Sequence, residues 1–155
     1  MDGACHRRPR FPPQEQSDDM LKSLLTAAVI TLATTGTVMA QDRIRISSDW
    51  GEVKAALADN AAARALSAML PLTVGMSDHL RQEKTGRLPS ALPDLPRQRD
   101  FSTGTLGLWS GRDFVIYYRG GRVPPPGIIV LGQVEGDVSI FDRPGDITVE
   151  ITRLD

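Results

Sequence analysis

Residues 59–78, DNAAARALSAMLPLTVGMSD, change period halfway through. Asp59 and Asn60 carry side-chain oxygens suited to the free amides of a first helical turn. The alanine-rich residues that follow place Ala62, Leu66, Met69 and Leu70 on one helical face. Pro71 lacks an amide hydrogen and disfavours helix in the residue before it, so the helix should stop near Met69 and Leu70. From Leu72 to Met76 apolar and small or polar residues alternate, the period of a strand. A short helix is thus expected to lie across one end of a sheet and return directly into it.

The flanking sequence supplies the sheet. Gln41 to Ser47 alternates polar and apolar residues, Ser48 to Gly51 reads as a turn, and Glu52 to Leu57 can pair back as a second arm. Downstream, Thr105 to Trp109, Phe114 to Tyr118, Ile128 to Gly132 and Ile147 to Ile151 read as strands, with Ser110 to Asp113 a hairpin turn. Residues 78–104 contain Pro89, Pro93 and Pro96 among many charges and are expected to form a long surface loop. Arg119 to Gly127 is too proline-rich to pair, and Asp137 to Phe141 has no assignable pattern. One helix, or two short ones, with six to eight strands predicts a mainly β domain, a closed or nearly closed barrel.

The 155 residues suffice for one domain but are not uniform. Residues 20–40, MLKSLLTAAVITLATTGTVMA, run from a Lys through an uncharged apolar stretch to Val38, Met39 and Ala40, the order of a secretory signal cleaved after Ala40. The stretch is too short and too rich in Ala and Thr for a strong membrane span. Residues 1–19 are polar and aperiodic, ahead of Met20; they read as a disordered, over-extended start, with translation beginning at Met20. Residues 41–155 then form a single exported domain, periplasmic or secreted, with no stable membrane insertion of its own.

That domain carries 14 Lys and Arg against 15 Asp and Glu, dispersed along the chain. Nucleic acid or an anionic membrane would call for a basic excess, so neither is expected as a partner. The single Cys is Cys5, which leaves the domain without disulfides or thiolate chemistry. No His, Asp and Glu cluster has metal-ligand spacing, and no cofactor motif is present; Gly104, Gly107, Gly120 and Gly121 read as bulges and turns.

Chemistry-bearing residues are few. His79 is the domain's sole His, and its neighbours Ser77 and Asp78 cannot complete a triad because adjacent side chains project apart. It reads as a loop His. Asp78 can cap a loop through an Asx turn. Glu83 and Lys84 read either as a ligand-orienting charge pair at a cleft or as a solvent-exposed ion pair. Phe114 and Tyr118 share one strand face and Tyr117 takes the other, so one face should fill the barrel while the other floors a groove. Aromatic floors suit proline rings.

Taken together, Asp59-Asn60, Ala65-Leu66, Leu70 to Thr73, Met76 to Asp78, Glu83-Lys84 and Leu88-Pro89 resemble the bacterial cyclophilin-like domain family of small, often exported proteins. Gly104 to Trp109, Phe114 to Arg119 and Leu131-Gly132 fit the same pattern. The resemblance implies a cyclophilin-like β-barrel and, for most members, no established activity. Prolyl isomerases of the cyclophilin type carry an Arg followed by a Phe-Met-Gln cluster, with a Trp and a His across the cleft, and this sequence has no such ordered set.

The expected function is therefore a module binding an extended peptide or small molecule, with Asp78, Glu83, Lys84, Trp109 and Tyr118 at its groove. An active prolyl isomerase is the alternative, with Arg87 or Arg119 donating to the prolyl nitrogen to lower the rotation barrier. A third reading is a structural partner of another exported or membrane protein.

Overall fold

The computed structural model describes residues 40–155, so the signal reading of 20–39 and the reading of 1–19 lie outside the described residues. The strands are β1 Arg43–Ser48, β2 Gly51–Leu57, β3 Leu72–His79, β4 Glu83–Arg87, β5 Asp100–Phe101, β6 Thr105–Leu108, β7 Asp113–Tyr117, β8 Gly121–Arg122, β9 Ile129–Glu135 and β10 Ile147–Leu154. Helix α1 spans Ala61–Ala68, and a 3-10 helix spans Val138–Phe141. Eight strands close a barrel in the order β1-β10-β3-β4-β7-β6-β9-β2, all neighbours antiparallel, while β5 and β8 form a separate two-stranded ribbon.

Alternation along each strand decides what fills the barrel. Ile44, Ile46, Val74, Met76, Phe114, Ile116, Val149 and Ile151 all join one buried cluster. At a few places the wall needs a residue without a side chain. A Cβ on Gly132 would run into the carbonyl oxygen of Ala56, so only glycine lets β9 pass β2 at that point.

Helix α1 begins as its sequence requires: Asn60 accepts from the Ala63 amide at 2.8 Å and donates to the Val130 carbonyl at 2.9 Å. Ala62 and Leu66 are fully buried against the barrel. The helix ends at Ala68, with Met69 as C-cap. The Arg153 guanidinium donates twice to the Ser67 carbonyl, at 2.8 and 3.2 Å, beside the Leu70 amide that bonds the same oxygen at 3.3 Å, and so ties the helix end to β10.

Two loop expectations are corrected. Residues 78–104 are not one excursion: β3 runs on to His79, the chain reverses at Leu80 and Arg81, and β4 pairs back. Both turn residues have positive φ, 53° and 54°, a conformation that usually selects Asn and Gly. The stretch from Leu88 to Arg99 is irregular yet docked. Leu88 and Leu92 are buried, and Arg112 donates to the Leu88 and Pro89 carbonyls at 3.0 and 2.7 Å. The Arg119–Gly127 segment also pairs, because Gly121 and Arg122 bond to Phe101 and Asp100 as β8 with β5.

That ribbon gives the barrel a second, outer layer. Phe101, Val115, Tyr117, Val123 and Ile128 form a buried cluster apart from the barrel core, with Trp109 against it. The Phe101 and Tyr117 rings stack at 3.8 Å between centroids.

Candidate functional site

Glu83 and Lys84 are both buried, at 2% and 0% exposure, and they do not pair with each other. Successive strand residues face opposite sides of the wall. Lys84 turns into the barrel end and Glu83 turns out under the second layer. Neither the exposed ion pair nor the charge pair at one cleft describes them.

Lys84 is fully committed. Its ammonium donates to Asp78 Oδ1 at 2.7 Å, to the Gly145 carbonyl at 3.1 Å and to the Arg143 carbonyl. The rings of Trp50 and Tyr118 lie 5.1 and 5.7 Å from its Nζ. Tyr118 donates to the same Asp78 oxygen at 2.6 Å. Asp78 therefore forms no Asx cap but the centre of an internal latch. Burial pushes the Asp78 carboxyl up, yet the hydrogen bonds from Lys84 and Tyr118 and the Lys84 charge outweigh it and hold it below the usual range. Burial, together with Asp78, pushes the Tyr118 phenol up.

On the other side of the same wall lies an open groove of about 490 Å³ lined by His79, Glu83, Thr85, Trp109, Ser110 and Asp113. Register explains the gathering: His79 on β3 and Tyr117 on β7 both sit directly across from Glu83 on β4. Glu83 Oε1 accepts from Trp109 Nε1 at 3.3 Å. The Tyr117 hydroxyl is buried beside this carboxyl without a hydrogen-bond partner of ordinary geometry. Burial raises the Glu83 pKa, opposed in part by the charge of His79 and by hydrogen bonding from Tyr117 and Trp109. Burial and the Glu83 charge push the Tyr117 phenol up in turn.

The predicted site residues thus divide between two faces. Asp78, Lys84 and Tyr118 form the latch; Glu83 and Trp109 belong to the groove. Arg119 is exposed and held by Asp142 at 3.0 Å, with its guanidinium 6.0 Å from the Tyr118 ring centroid. Arg87 is exposed at the end of β4, across from Asp113 and outside the groove lining. Sequence reading left Thr85, Ser110 and Asp113 out of the site, took His79 for a loop residue, and set Tyr117 on the face opposite Tyr118 without naming it a site residue. Period two across 83–87 is the signal that would have found Thr85 and separated Glu83 from Lys84. Among the described residues, no group of three or more His, Cys, Asp and Glu is placed to hold a metal ion, and no helix is long and apolar enough to cross a membrane.

Comparison with known proteins identifies the class. The model of the Cyclophilin-like family matches residues 46–152, and this chain belongs to that family. The solution structure of a hypothetical protein from Archaeoglobus fulgidus is similar, with a TM-score of 0.62, 15% identity, and coverage of 77% of this chain and 99% of that one. At that identity the likeness carries the fold alone. Among curated proteins, none matches the chain.

Lys84→Met should destabilise the domain by about 3–5 kcal/mol in urea titration, because it strands the Asp78 charge, and adding Asp78→Asn should recover part of the loss. Glu83 offers a test with pH. Below the ordinary Glu pKa both folded and unfolded states hold the proton, and the folded state loses stability as pH rises through the raised value. The melting temperature of Glu83→Gln relative to the parent chain should therefore climb as pH rises from below the ordinary Glu range through the raised value, and level off above it. A constant difference would mean that Glu83 is not desolvated.

Proposed function

We propose that the chain is an exported, non-catalytic ligand-binding module whose binding surface is the groove on the outer wall of β3, β4 and β7. One observation carries this reading: Glu83 is a buried carboxyl lining an open groove, with one hydrogen bond of ordinary geometry, 3.3 Å from Trp109, and the Tyr117 hydroxyl beside it without one. Buried polar groups in folded proteins are nearly always satisfied, and each exception calls for an account. A ligand entering the groove supplies the missing partners, and Trp109 offers apolar surface along its length. An extended peptide and a small molecule both fit a groove of this size.

Prolyl isomerisation finds less support. A guanidinium would have to reach the prolyl nitrogen, whereas Arg119 is engaged by Asp142 and Arg87 is outside the groove lining. Export is supported by the basic, apolar and small-residue order of residues 20–40 and by the position of β1, which starts three residues beyond Ala40.

Titrating a panel of Xaa-Pro peptides into residues 41–155, which contain every barrel strand, should shift amide resonances of His79, Glu83, Thr85 and Trp109 without accelerating cis-trans exchange in the peptides. Accelerated exchange abolished by Arg87→Ala or Arg119→Ala would establish the isomerase instead. Expressed from Met20 in a bacterial host, the protein should accumulate in the periplasm with Gln41 as its first residue by N-terminal sequencing; an intact Met20 terminus would refute export.

A further inference from the structure

We infer that the groove selects an organic cation, an alkylammonium or guanidinium group seated between the Glu83 and Asp113 carboxylates and the Trp109 indole. The inference rests on the reading of the groove as a binding surface and names its ligand class. Two of the six lining residues are acidic and none is Lys or Arg. Glu83 is 2% exposed, yet among the described residues it has no ion-pair partner and one hydrogen bond of ordinary geometry, from the neutral Trp109 indole. A carboxylate desolvated in this way gains most from an incoming positive charge, which supplies both charge and donors.

The second observation is independent of the acidic pair. The Tyr117 hydroxyl, 0% exposed and directly across from Glu83, lies beside that carboxyl without a hydrogen bond of ordinary geometry. Trp109 adds an indole, the side chain that attracts cations best. The Ser110 hydroxyl bonds the Asp113 carboxylate and fixes it at the groove rim.

The charged and titratable neighbours of Glu83 set the pH response. They are His79 on β3, Tyr117 and Asp113 on β7, and Arg87 further along β4. As pH falls, Glu83 takes up its proton, and the loss of its charge opposes a cation. Binding should weaken on acidification and should release a proton from Glu83 at pH values where that group is partly protonated.

The test uses residues 41–155 with n-butylammonium, its neutral isostere 1-pentanol, the peptide acetyl-Gly-Lys-Gly-amide and its acetyl-Gly-norleucine-Gly-amide counterpart. The readout is the Trp109 indole N–H resonance at pH 8 and pH 5. A saturable shift with either cation, at least about tenfold weaker with its neutral counterpart and again in Glu83→Gln, is the expected result. Binding of butylammonium as tight as that of the lysyl peptide assigns the site to free amines; tighter binding of the peptide assigns it to a side chain. Equal binding of neutral and cationic probes, or binding unchanged in Glu83→Gln, overturns the cation while leaving a groove that binds. No shift with any of the four probes at millimolar concentration overturns both the cation and the groove. Melting curves of Glu83→Gln and of Trp109→Phe at pH 5 confirm that a lost shift is not a lost fold.

Discussion

An ammonium group withdrawn from water must have all its protons engaged, and Lys84 meets that demand with three acceptors at the end of the barrel. One is the Asp78 carboxylate; the others are the carbonyls of Arg143 and Gly145. The arrangement draws the segment before β10 onto the β3–β4 hairpin, which are far apart in sequence and adjacent in the barrel only through β10. It also fixes the facing of β4. Once Lys84 points inward, Glu83 can only point outward, so the latch and the groove are the two sides of one dipeptide.

The outward side is dry because the chain builds a second layer there. Phe101 stacks on Tyr117, β8 pairs with β5, and Arg112 holds the start of the proline-rich segment through its carbonyls. On the bare outer wall of a barrel a glutamate would be solvated and its titration ordinary. Beneath this layer it is desolvated, and its pKa rises. The outer layer therefore has chemical effect as well as structural effect: it turns what would be a surface carboxyl into a desolvated one.

Most of the barrel was legible because apolar alternation and capping report directly on burial. The helix cap at Asn60, the stop before Pro71, the first hairpin and the strands at 105–109, 114–118 and 147–151 all follow from local chemistry. Strand β4 was not legible, for two physical reasons. Its residues, Glu-Lys-Thr-Gly-Arg, look solvated, and the charges are buried by partners distant in sequence. Its turn, Leu80-Arg81, adopts positive φ without the Asn or Gly that announces one. Missing the strand made Glu83 and Lys84 neighbours in function when alternation makes them strangers. The facing of Phe114 and Tyr118 was read correctly, although Tyr118 was still expected at the groove beside Trp109.

The closure of the barrel bears on what kind of recognition this surface can perform. Each wall strand is bonded on both flanks, from β1 through β10 and around again to β2. Among the described residues the barrel has no edge strand that an incoming chain could extend, the route by which many β proteins hold peptides regardless of sequence; the free edges belong to the short β5–β8 ribbon. A visitor to the outer wall meets side chains alone. Any selectivity at this wall would rest on a few substitutable groups, free to change while the scaffold beneath stays the same.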